Sequence, residues 1–221
     1  RTAPRFGSNA LEVLHDHGMW LRWVHFLAGV TWIGLLWFFN WINGPFTNSL
    51  EPEVRSKVVP QLMPRTLWWF RWGAAFTWLT GVIYAYGVLA KQDPEGTMHW
   101  MTETQRGNWI TMGFVYGTIM AFNVWFVIWP RQKKIIGAIQ RGEKPDPSWP
   151  KVATNASRIN TYLSLPLLFS MGAGKHMGEL GTDLPTNFFV AAGIVTVIGF
   201  AVAWLFIHKV GPAVGKDFKG A

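Results

Sequence analysis

The sequence predicts an all-α integral membrane protein, a bundle of about five transmembrane helices with its N-terminus outside and its C-terminus in the cytoplasm. Three observations carry that expectation. Half of the 221 residues are hydrophobic and only 14% are charged, whereas soluble domains carry about 25% charged residues. The apolar residues fall in long blocks rather than alternating stripes, and a bilayer span needs roughly 20 consecutive apolar residues. Lysine and arginine gather in alternate connections between those blocks, the asymmetry that orients a membrane protein.

The blocks run over 18–42, 67–90, 108–129, 160–174 and 187–207. Each is apolar on nearly all sides, and in lipid only helices or closed barrels satisfy every backbone group. Barrel strands would alternate over about ten residues, so the continuous blocks read as helices. The fourth is expected to be short and interrupted by Pro166. In the third, Gly113 and Gly117 form a helix-packing face. Asn40, Asn123 and Asn160 lie near the inner ends and are expected to bridge helices. Tryptophans crowd the span ends, as an interfacial belt requires, while Trp32 and Trp78 lie deeper.

Arg55, Lys57, Arg65 and Arg71 surround the first connection, and Arg131, Lys133, Lys134, Arg141, Lys144, Lys151 and Arg158 the third. With Lys209, Lys216 and Lys219 of the tail they share one side of a five-span chain, the cytoplasmic side. The net charge of +8 is therefore a topology signal. No nucleic-acid partner is expected, because the basic connection lacks the aromatic interleaving of a binding surface. The organisation is an external segment, 1–17, too polar for a signal peptide, a transmembrane domain, 18–210, with a basic cytoplasmic connector at 131–157, and a cytoplasmic tail, 211–221.

With no cysteine in the chain, disulfides, thiolate-bound zinc, iron–sulfur clusters and covalently attached c-type haem are excluded. Histidine and methionine sulfur remain as ligands for haem iron or copper. His15, His17, His25, His99 and His176 all map to the outer face, with Met19, Met98, Met101, Met171 and Met177, whereas His208 is cytoplasmic. His25 lies about 10 Å into the first span at 1.5 Å per residue, a depth at which an ionisable side chain points to function by default. Gly29, one turn on, removes a side chain from the same face, so a flat macrocycle can lie there with His25 as axial ligand. The competing reading is a neutral imidazole bonded to another helix, with Gly29 serving close packing. His176, at the outer end of the fourth span, is the second ligand candidate, and Arg22 either snorkels to the headgroups or pairs with a haem propionate. His15, His17 and His99 form a weaker copper candidate.

Three segments, Leu21-Arg-Trp-Val-His-Phe-Leu-Ala-Gly-Val-Thr-Trp-Ile-Gly34, Phe122-Asn-Val-Trp-Phe-Val-Ile-Trp-Pro-Arg-Gln132 and Asn160-Thr-Tyr-Leu-Ser-Leu-Pro-Leu-Leu-Phe169, resemble the membrane domain of the bacterial cytochrome c-linked urate oxidase (urate hydroxylase) family. The resemblance implies a helical membrane domain coupled to oxidation, with electrons passed to a C-terminally fused cytochrome c. This sequence holds no cysteine for such a cytochrome. Of the family's site residues only His25 and His176 are carried over.

The expectation is a bacterial inner-membrane subunit that transfers electrons or assists a larger oxidoreductase complex. It would sit in the lipid bilayer beside other membrane subunits, with a b-type haem on His25 and copper as the alternative metal. A urate oxidase-like enzyme using a separate cytochrome c, and a cofactor-free structural subunit, are the two other readings.

Overall fold

In the computed structural model the described residues are 17–89, 101, 104–176 and 188–214, and among them there is no strand. Five long helices account for nearly all of these residues: α1 (His17–Ser49), α2 (52–89), α3 (Gln105–Gln140), α4 (Ser148–His176) and α5 (Phe188–Ala213). Three of them, α1, α3 and α5, are long and apolar enough to cross a membrane. Successive helices run antiparallel. His25 near the start of α1 meets Thr80 near the end of α2, and Gly174 at the end of α4 meets Arg106 at the start of α3. One end of the bundle therefore carries His25, and the opposite end carries Asn43 and the basic residues of the first and third connections.

One expectation about the spans is corrected. Pro166 does not interrupt the fourth block, because α4 runs unbroken for 29 residues with the proline inside it, about 43 Å, although α4 as a whole is not among the helices apolar enough to cross a membrane. Within the basic connector at 131–157, only 141–147 is non-helical, since α3 extends to Gln140 and α4 begins at Ser148. Similarly, α2 begins at Pro52, well before the apolar block, and carries Pro60 and Pro64 within it.

Three helices widen into a π turn, at Phe38–Asn43 in α1, Asn123–Ile128 in α3 and Phe206–Val210 in α5. In each a proline follows two residues later, namely Pro45, Pro130 and Pro212. A proline ring collides with the carbonyl four residues earlier and has no N–H for it. The residue just before each proline instead bonds five residues back: Gly44 to Phe39, Trp129 to Val124, Gly211 to Phe206. The wider turn gives the ring its space without ending the helix. A fourth π turn, Ala85–Leu89, closes α2.

Helices in lipid gain little from burying apolar surface against one another, so small residues and polar side chains do the joining. The core of Trp32, Leu36, Leu67, Phe70, Met120 and Val124 fills the middle of the bundle. Through it runs the polar face of α4, where Asn160, Thr161, Ser164 and Ser170 have no exposed surface. Asn160 Nδ2 donates to the Met120 carbonyl at 2.9 Å and its Oδ1 accepts from Asn123 Nδ2 at 2.9 Å. Trp37 Nε1 donates to Ser164 Oγ at 2.9 Å, and Asn40 Nδ2 to Ser157 Oγ at 2.8 Å. The three asparagines thus bridge helices as the sequence suggests.

Glycine sets the spacing. A side chain at Gly113 would enter Met171 and Ser170 of α4, and one at Gly117 would touch Leu167, so that pair is a packing face. On α5 a Cβ at Gly199 would lie 2.7 Å from Pro166 Cδ and 3.1 Å from its N. Outward, Trp69, Phe122, Phe126, Phe189 and Val197 are exposed, an apolar surface suited to lipid. Arg71 lies among tryptophans, its guanidinium 4.0 Å from the Trp129 ring centre with Trp72 and Trp125 beside it.

Gly199→Ala is expected to lower stability by about 1–3 kcal/mol, because the proline ring and backbone behind it cannot yield. Gly193→Ala, which meets nothing within 4 Å, should stay within about 0.5 kcal/mol of the parent. Unfolding in detergent, followed by tryptophan fluorescence, separates the two. By the same assay Asn160→Leu should lose about 1–2 kcal/mol, since it strands Asn123 as well as removing its own bonds.

Candidate functional site at the His25 end

His25 is half-buried in the seam between α1 and α2. Its Nδ1 lies 3.2 Å from Thr80 Oγ1, and the Thr80 hydroxyl in turn donates to the Phe76 carbonyl at 2.5 Å. A hydroxyl has one proton, and here the helix carbonyl takes it. With the hydroxyl proton so used, the imidazole donates from Nδ1, and in its neutral form it keeps a lone pair on Nε2. A fixed Nδ1–H tautomer of this kind is how proteins prepare Nε2 as a metal ligand.

The glycines around the ring have a different task. Gly81 faces the imidazole, its Cβ position 3.1 Å from Cε1, so any larger residue there would displace the ring. Gly29 faces Thr77 of α2, with the nearest atom 3.8 Å from its Cβ position. Gly73 meets the α1 backbone at Ala28 and Trp32 within 3.2–3.3 Å. The face on which a macrocycle was expected is thus filled by α2, and Gly29 serves helix packing. The donor chemistry of His25 suits iron or copper through Nε2, but the cradle at Gly29 does not suit a haem plane.

Arg22 is exposed, its Nε donating to the Gly18 carbonyl at 3.4 Å and its guanidinium 5.7 Å from the Tyr84 ring centre. His176 is the last residue of α4 and is exposed at the same end of the bundle as His25. The neighbouring turn of α4 packs on α3, with Gly174 against Ile110 and the Arg106 carbonyl, while His25 packs on α2. His17, the first residue of α1, is exposed. His15 and His99, the other members of the copper candidate, lie outside the described residues, as do Met98 and Met177. Met171 turns inward, its Sδ 3.5 Å from the Cβ position of Gly113. Among the described residues, no group of three or more His, Asp or Glu side chains comes together as a metal site. At the other end His208 approaches the Tyr162 hydroxyl at 3.4 Å.

Thr80 is the residue that sequence reading passed over. Its signal was Thr77-x-x-Thr80-Gly81, hydroxyls and a glycine at helical spacing in a span otherwise apolar. If the bond orders the ring as described, a double-mutant cycle of His25→Ala and Thr80→Val should give a coupling of about 0.5–1.5 kcal/mol. Unfolding of the two single variants and the double variant in detergent measures it.

No curated protein and no solved structure matches the chain. One family model does, described as urate oxidase N-terminal, and it covers residues 96–214. That stretch contains α3, α4 and α5 together with two of the three resembling segments, and leaves out α1 and His25. With more than half of its length matched, the chain belongs to the urate oxidase N-terminal family.

Proposed function

We propose that this chain is an inner-membrane component of a bacterial oxidoreductase complex related to the urate oxidases, transferring electrons or assisting the subunits that do. The observation that carries this reading is the urate oxidase N-terminal match over 96–214, laid on three helices that form one packed unit. Long apolar helices with exposed aromatic faces support a place in the bilayer beside other membrane subunits. Basic residues concentrated at the Asn43 end support assigning that end to the cytoplasm and the His25 end to the outside. A separate cytochrome c would be the electron acceptor at the outer face.

His25 is the residue that would hold a metal, through Nε2, while Thr80 fixes the ring and Gly81 leaves room for it. Copper, the alternative metal, bound there would supply one-electron transfer. The protein's own contribution is to hold the imidazole at one angle, in a seam closed by α2. His176 lies at the same end of the bundle and would complete the ligand set only if the end of α4 reaches the seam.

A reduced-minus-oxidised spectrum of the detergent-purified chain, with a pyridine haemochrome assay, tests the redox part. Bound copper by metal analysis, and its loss in folded His25→Ala, are expected, whereas near-stoichiometric b-type haem would show that the seam opens for a haem plane. An unchanged metal content or spectrum in that variant removes His25 as ligand, and a colourless, metal-free parent favours a structural subunit. Added cytochrome c should not be reduced by urate with this chain alone. Urate-dependent reduction would instead make the chain a urate oxidase in its own right.

A further inference from the structure

At the Asn43 end the five helices do not close on one another but surround a cavity of about 1060 Å³. Its depth is apolar, lined by Phe39, Leu67 and Phe70, and its rim carries Arg55, Lys144 and Arg158. The rim charge is unbalanced. Glu143, the carboxylate that shares the rim, is held by Arg141 through two bonds of 2.9 and 2.7 Å. Arg55, Lys144 and Arg158 form no ion pair among the described residues.

The second observation is Asn43, which lines the same cavity and is 7% exposed. Its Oδ1 is buried with no hydrogen-bond partner among the described residues. Turning the amide over would not help. Nδ2 points to Met63 Sδ at 3.6 Å, and exchanging the two atoms would set an oxygen acceptor against a sulfur that can only accept. Asn43 is also the last residue of the π turn forced by Pro45, and such turns recur at functional sites. A buried acceptor of this kind calls for a ligand that donates.

We propose that this cavity binds a phosphate-bearing ligand with a hydroxyl or ammonium donor close to the phosphate, the chemistry shared by glycerol 3-phosphate and the headgroup of phosphatidylglycerol. Two arginines and a lysine without carboxylate partners match a phosphate. The donor beside it satisfies Asn43 Oδ1, and the apolar depth accepts the carbon skeleton attached to the headgroup. The site lies at the opposite end of the bundle from His25 and does not depend on whether a metal binds there.

Native mass spectrometry of the full chain, titrated with phosphatidylglycerol, glycerol 3-phosphate and phosphatidylcholine, tests the assignment. Phosphatidylcholine is the control, because its quaternary ammonium keeps the phosphate but has no donor. One bound phosphatidylglycerol is expected, with a preference of about tenfold over phosphatidylcholine. Replacing both rim arginines, Arg55→Gln with Arg158→Gln, should weaken binding by about tenfold or more. Both side chains are exposed, so the fold should survive, and a thermal melt checks that. Asn43→Leu should erase the preference for the donor-bearing headgroup. Competition by glycerol 3-phosphate, or its binding alone, would support the proposal and place the ligand in the soluble pool. Lipid retention without competition would support it and place the ligand in the membrane. Equal retention of the two lipids, unaffected by the arginine pair in a folded protein, would overturn it. So would the failure of both phosphate probes to bind.

Discussion

Asn160 and Ser164 have no exposed surface, so neither can look to water or headgroups, and each neighbouring helix has to bring a polar partner to a set height. Asn123 of α3 meets the asparagine and Trp37 of α1 meets the serine. Those meetings fix the vertical register of α1 and α3 against α4. Close approach then follows at residues that lack side chains, Gly113 on α3 and Gly199 on α5. In a bilayer, where lipid is as apolar as the helices themselves, this pairing of polar groups with small residues would do the work that hydrophobic burial does in soluble bundles.

The two ends of the bundle differ for a local reason. Between α1 and α2 the backbones meet at Gly73, and the seam continues through Gly29 and Gly81, so His25 sits in a filled interface with its Nδ1 against Thr80. At the far end, prolines force π turns in α1, α3 and α5. A π turn shifts the side chains beyond it around the helix axis, and the helices no longer present the matched faces that close the middle of the bundle. The cavity occupies the space between these altered ends, and Asn43 is left facing it with an unused acceptor.

Much of this was legible residue by residue. The helical class followed from block length alone. The bridging role of Asn40, Asn123 and Asn160 followed from the cost of an amide in lipid, and the Gly113 and Gly117 face from the need for close approach. His25 was conspicuous for the same reason as the asparagines. Its partner was not, because a threonine in an apolar span has an ordinary fallback, a bond to its own helix carbonyl. Thr80 makes that bond as well as accepting from His25. Gly29 misled for a related reason, since a missing side chain reads equally well as room for a cofactor or room for a helix.

The sequence by itself determined the all-helical class with apolar blocks long enough to cross a membrane, the grouping of charge at one end and the positions where polar groups had to find partners. All of these depend on residue type and spacing along a single helix. Only the tertiary structure decided that α2 fills the Gly29 face and that α4 continues unbroken through Pro166 to form the buried polar spine. The same holds for the open end, where the ends of five helices near Asn43 surround a cavity. Each of these depends on which helix lies opposite, and a one-dimensional pattern does not encode the neighbour.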